Sequence, residues 1–132
     1  EALKVRAQYV GKSKFDYLVQ VGSEETVRRL NPDFPTLRTL PVRGVIVTSQ
    51  ATTPGFDFVS RFFAPAAGVN EDPVTGSAHC TLGPFWSRQL GKQDFLAYQA
   101  SERGGVLRVR VAGDRVYLGG KAVTVLRGEL IA

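Results

Sequence analysis

The residues whose types and order suit chemistry lie together in one loop, Ala64-Pro65-Ala66-Ala67-Gly68-Val69-Asn70-Glu71-Asp72-Pro73-Val74-Thr75-Gly76-Ser77. Gly76 lets the backbone approach a ligand closely. A helix starting at Ser77 would turn the free amides of its first turn outward, at the dipole end that favours anions. A carboxylate or phosphate suits that place. Just upstream, Glu71 and Asp72 put two carboxylates beside the positive pole. A carboxylate facing a substrate's acid group can have its pKa raised until it holds or transfers a proton near neutrality. On spacing alone a plainer reading stands beside this one. Asp72-Pro73 then starts a turn and Ser77 is an N-cap, because Thr-Gly-Ser before a helix is a weak pattern.

The elements that must hold this loop can be read on either side of it. Leu3 to Val10 and Phe15 to Val21 are β-rich runs joined by turn residues at Gly11 to Lys14. Ser23 caps a helix with Glu24 and Glu25 in its first turn and Arg28 and Arg29 in its last, which should stop near Leu30 before Asn31-Pro32. A short helical turn is expected around Thr36 to Leu40, then strands over Gly44 to Ser49 and Phe56 to Phe63. The second has aromatic bulk on both faces, as a strand covered on both sides would. Ser77 to Leu90 has apolar residues at helical spacing and ends before Gly91, with a kink or restart expected at Pro84. Four more strands follow: Phe95 to Gln99, Val106 to Val111, Val116 to Leu118 and Ala122 to Leu126. Strands thus flank one long apolar helix in sequence, and the expected class is α+β, antiparallel β wrapped around that helix.

His79 and Cys80 fall inside this helix. The histidine is read as a satisfied buried residue despite a natural pKa suited to proton transfer, and the thiol as a small core residue. One thiol beside one histidine is too few for a closed zinc site, so no metal is expected. The single cysteine cannot form an intrachain disulfide, and no run of about 18 apolar residues or export signal is present, so a reducing cytoplasmic setting without membrane contact is expected. The chain has 132 residues, enough for one domain with a single core. It contains no methionine and begins with Glu1, which points to a fragment or a processed chain. A net charge of +5 invites a nucleic-acid partner. The basic residues are scattered, however, and Arg108 and Arg110 alternate with Leu107, Val109 and Val111, as on the wet face of a half-buried strand.

Three ordered motifs carry a resemblance. They are Arg61-Phe62-Phe63-Ala64-Pro65, Glu71-Asp72-Pro73-Val74-Thr75-Gly76-Ser77-Ala78-His79-Cys80, and Gln99-Ala100-Ser101-Glu102-Arg103-Gly104-Gly105. Together they resemble the C-terminal half of the phenazine-biosynthesis PhzF-like isomerases, over essentially the whole chain. The resemblance implies one lobe of a diaminopimelate-epimerase-like fold, a β-sheet or barrel curled around a central helix, with the active site in the cleft between two lobes. It implies that Asp72 lines that cleft and that Gly76 and Ser77 bind the substrate's acid group. Gln99, which opens the third motif, is a candidate substrate contact from its strand end, and Arg103-Gly104-Gly105 is read as a tight turn or bulge.

The family's proton-shuttling glutamate and partner histidine lie in the N-terminal lobe, which no segment here matches. The implied chemistry is therefore a cofactor-free proton transfer at carbon, completed by that lobe, with Asp72 orienting and tuning rather than acting as the primary base. The isolated chain is expected to be inactive, and a homodimer of full-length chains is suggested. In the related amino-acid epimerases the thiol would fall where this chain has Pro73, so Cys80 does not replace it. The competing expectation is a non-catalytic interaction module of the same fold.

Overall fold

The computed structural model describes residues 1–131. In chain order the elements are β1 (Ala7–Lys12), β2 (Asp16–Val21), α1 (Glu24–Arg29), α2 (Phe34–Arg38), β3 (Gly44–Gln50), β4 (Phe58–Phe63), a 3-10 turn (Pro65–Ala67), α3 (Gly76–Leu90), β5 (Asp94–Gln99), β6 (Gly105–Ala112) and β7 (Arg115–Gly119). The strands form one sheet in sequential order. The α+β class is as expected, but the sheet is mixed, not wholly antiparallel. The pairs β2–β3 and β4–β5 run parallel and the other four antiparallel. The cause is the connections, since a parallel pair needs a crossover that carries the chain back to its starting end. The segment with α1 and α2 does this between β2 and β3, and α3 does it between β4 and β5.

Side-chain alternation along the strands then builds a core on each face. In β4, Phe58 and Phe62 face α3, while Val59 and Phe63 join Val27 of α1 and Leu37 of α2 on the other side. Bulk on both faces therefore marks a strand covered twice, as its sequence predicted. The sheet curls about α3 so that both of its edges reach the helix. From β1, the Tyr9 ring lies 5.3 Å from that of Phe85. On the β6–β7 side, a Cβ at Gly83 would sit 3.1 Å from Val109 and 3.4 Å from Val116, so glycine lets the helix settle closely onto the sheet. The edge strands β1 and β7 do not pair, and the sheet stays open.

The caps follow the sequence. Ser23 Oγ accepts from the Thr26 amide at 3.1 Å, and Glu24–Arg28 and Glu25–Arg29 form ion pairs one turn apart. Asp33 caps α2 in the same way through the Thr36 amide, which starts that helix two residues earlier than expected. Gly91 closes α3 in the left-handed conformation, φ 65°, its amide donating to the Ser87 carbonyl. The helix passes through Pro84 without restarting. In β6, Leu107 and Val109 are buried while Arg108 and Arg110 are exposed, which is the wet-face alternation expected of them.

Two strand expectations are corrected. The first strand begins at Ala7, not Leu3, because Ala2, Leu3 and Val5 are used as packing against the α1–α2 face. The Ala122–Leu126 strand is absent: residues 120–131 carry no regular structure. Val123, Val125 and Leu126 are at least 84% exposed. Alternation codes for a strand, but a strand also needs a neighbour's backbone groups, and β7 is not extended past Gly119. Truncation after Gly120 is accordingly expected to change the unfolding free energy by less than about 0.5 kcal/mol, as for exposed sites generally. Chemical denaturation of the shortened chain checks this. No helix of the described residues is long and apolar enough to cross a membrane.

Candidate functional site

The acidic loop is braced from below before it reaches α3. The Asp72 amide donates to the Phe62 carbonyl at 3.0 Å, anchoring the loop to the end of β4. Gln99, at the end of β5, then ties the loop to itself. Its Oε1 accepts from the Thr75 amide at 2.8 Å, and its Nε2 donates to the Asp72 carbonyl at 2.8 Å and to Thr75 Oγ1 at 3.0 Å. Gln99 is 0% exposed. The expected substrate contact is thereby corrected: both polar ends of this side chain are spent inside the loop, and it acts as a brace beneath the site.

The rest of the third motif completes the support. Ser101 Oγ donates to the Pro73 carbonyl at 2.8 Å and accepts from the Gly104 amide at 3.0 Å. Gly104 has φ 71°, and a Cβ at Gly105 would stand 2.2 Å from Val74, so only glycine lets Val74 press down at that point. The turn expected at Arg103-Gly104-Gly105 is thus a seat for the loop.

The two carboxylates have separate roles. Glu71 forms a two-pronged pair with Arg61, 2.7 Å to Nε and 2.8 Å to Nη2, while Arg61 Nη1 donates to the Leu30 carbonyl just past the end of α1 at 2.8 Å. Through Arg61, Glu71 therefore fastens the loop to the end of α1. Asp72 is partly exposed, and its Oδ2 accepts from Thr75 Oγ1 at 2.6 Å. That bond has a consequence for α3. Thr75 is its N-cap residue, yet the hydroxyl is turned to Asp72 and caps nothing. Among the described residues, the Gly76, Ser77 and Ala78 amides donate to no side chain or loop carbonyl, and Gly76 and Ser77 are exposed. The start of α3 thus presents unpaired donors at the positive end of a 15-residue helix.

Arg43, a residue the sequence did not single out, reaches this place from the start of β3. Its Nε donates to Asp16 Oδ1 at 3.0 Å, and its Nη2 donates to Asp16 Oδ2 at 2.5 Å and to Ser77 Oγ at 2.9 Å. At the next residue, Gly44, a Cβ would lie 2.5 Å from the Phe62 ring, so glycine leaves room for that ring beside β3. These partners are 27 and 34 residues away from Arg43 in sequence, beyond the range of any local pattern.

His79 is buried, as expected, but only half satisfied. Its Nδ1 lies 2.8 Å from the Thr75 carbonyl, which can only accept, so Nδ1 carries the proton. Nε2 has no partner among the described residues. Burial pushes the imidazole pKa below its ordinary 6.5, and the bond to Thr75 offsets this only in part. The ring is expected to titrate below its ordinary value, and to carry its single proton on Nδ1 when neutral. Nitrogen NMR of the ring checks this, and a titration midpoint at or above 6.5 would contradict it. Cys80 is exposed, contrary to the expected core position, one helical turn beyond Gly76 on the outer face of α3.

Comparison with known proteins agrees with this architecture. Residues 2–128 match the model of the family described as phenazine biosynthesis-like protein, PhzC-PhzF. An uncharacterized isomerase of Halalkalibacterium halodurans is 55% identical over 131 residues, covering 99% of this chain and 49% of that protein. An uncharacterized isomerase of Pseudomonas aeruginosa is 55% identical over 113 residues, covering 86% of this chain and 42% of that one. The crystal structure of a phenazine biosynthesis protein of the PhzF family from Enterococcus faecalis superposes with a TM-score of 0.86 at 42% identity, over 90% of this chain and 45% of the other. The chain spans about half the length of the curated relatives it matches. It belongs to the phenazine biosynthesis-like, PhzC-PhzF family, on a match that runs through nearly all of its sequence.

Proposed function

We propose that this chain is one lobe of a cofactor-independent isomerase that moves a proton at carbon on a small carboxylic acid, and that the other half of such a protein completes the site. The observation that carries this reading is the uncapped start of α3. The Gly76, Ser77 and Ala78 amides have no internal acceptor among the described residues, and an anion placed there gains donors and a favourable dipole together. Two relatives carry isomerase names, in keeping with such chemistry. Asp72 sits at the rim with Oδ2 fixed by Thr75. There it orients the substrate and tunes its proton affinity, while the base that takes the proton comes from the other half.

The test is reconstitution. Mixed with the separately expressed remaining half of a relative, the chain should catalyse exchange of a carbon-bound proton of a small carboxylic acid with deuterated solvent. Alone it should not. Two halves that associate without exchange would favour the second reading, an interaction module. The exposed side chains of Val123, Val125, Leu126, Leu130 and Ile131, apolar surface for a partner to cover, are the observation on that side. In the active pair, Asp72→Asn is expected to lower the exchange rate about tenfold, below the usual effect of losing a primary acid or base. Progress curves by proton NMR check this, and a loss of a thousandfold or more would make Asp72 the base itself.

A further inference from the structure

Ser77 has one hydroxyl, and its neighbours determine how that hydroxyl meets a ligand. Arg43 Nη2 donates to Ser77 Oγ at 2.9 Å. A guanidinium has no acceptor, so in this contact the serine oxygen accepts and its proton is directed elsewhere. Among the described residues the Ser77 hydroxyl donates to nothing, and the residue is exposed. The guanidinium is held from the other side. Asp16, 2% exposed, grips it with both carboxylate oxygens, and the Phe15 and Phe62 rings flank it at 5.4 and 5.6 Å. The pair with Asp16 also balances the charge of Arg43, so the contact adds direction more than net positive charge.

We infer that Arg43, clamped by Asp16, is a positioning residue that turns the Ser77 hydroxyl proton outward, so that the start of α3 offers donors only and selects a carboxylate over the amide of the same shape. This rests on the reading of that helix start as the acid-binding place. A carboxylate is all acceptor and suits three amides and a hydroxyl proton. A carboxamide would bring its NH2 group against donors and leave it unpaired, which is costly for a group taken out of water. Arg43 thereby acts through Ser77 and touches no reacting atom.

The test uses the whole 132-residue chain, labelled with nitrogen-15, titrated in turn with acetate and with acetamide while the Gly76, Ser77 and Ala78 amide signals are followed. The wild-type chain should prefer acetate by about tenfold or more, the scale of one charge-assisted hydrogen bond against one unpaired group. Arg43→Lys keeps a cation for Asp16 but not the two-sided fork, and should bring the preference down to about threefold or less. Made on top of Ser77→Ala, the same change should alter the preference no further. Should either variant lose its dispersed spectrum, Asp16→Asn with Arg43→Gln removes both charges together and is read in the same way. No amide response to acetate in the wild-type chain would overturn the acid-binding reading itself. A response that keeps its full acetate preference in the arginine variants would leave that reading standing and overturn the role given to Arg43.

Discussion

Replacing Glu24 by glutamine is expected to remove about 3 kcal/mol of stability at pH 7, converting the depression of its pKa at about 1.4 kcal/mol per tenfold. The side chain is only 4% exposed, and burial alone would raise its pKa. Hydrogen bonds from the Thr53 hydroxyl and amide, the Thr52 amide and Arg28 outweigh that and draw it from its ordinary 4.5 down to about 2. The distances are short, 2.6 Å from the Thr52 amide and 2.9 Å from the Thr53 amide. One carboxylate thus fastens the start of α1 to the turn after β3. A depressed pKa fixes the sign of the pH dependence. The contribution is fully present above 4.5, where the unfolded carboxyl is also ionised, and is lost as pH falls from there through about 2. Denaturant unfolding at pH 7 and pH 3 checks this. Glu24→Gln should lose much of its disadvantage at the lower pH, and equal losses at both would contradict the assignment.

Gln99→Leu is expected to cost about 3 kcal/mol and to disorder the start of α3. It strands the Thr75 amide in a buried place and the Asp72 carbonyl in a partly buried one, at about 1–3 kcal/mol for a buried group left unpaired. Its effect separates a brace from a ligand contact. If Gln99 holds the loop, the variant lowers both the unfolding free energy and the anion response at Gly76 and Ser77. If it touched only substrate, the stability of the chain would be unchanged. Unfolding monitored by circular dichroism distinguishes the two.

Much of the fold was legible because its signals are local. Ser23, the acidic and basic ends of α1, the β-branched run of β3 and Gly91 each act within a few residues of where they stand. The donor-rich start of α3 was legible for the same reason, from Gly76 and Ser77 at the head of an apolar helical pattern. What depends on distant residues was not. The partner of Glu71 is Arg61 across a tight loop, and the partner of Ser77 is Arg43, which belongs to a different strand. The direction of β5 follows from where α3 delivers the chain, and no strand encodes that in its own residues.

Two misreadings had a usable signal. Gln99 shares its strand face with Phe95 and Ala97, both buried, so alternation already pointed it inward. Cys80 lies four residues from both Gly76 and Pro84, on a row opposite the buried Ala78, Leu82, Phe85 and Trp86. The Ala122–Leu126 segment is different, since its alternating pattern is plain and only a second set of strand hydrogen bonds is missing.

On the proposed reading, the first turn of α3 holds the acid group of a small molecule. A crystal structure of this chain assembled with the remaining half of a relative and a bound carboxylic acid is the direct test. Carboxylate oxygens are expected about 2.7–3.2 Å from the Gly76 and Ser77 amide nitrogens, ordinary hydrogen-bond distances, with Asp72 at the rim and Gln99 still beneath the loop. A ligand seated elsewhere, with those amides taken up by a side chain of either half, would contradict it.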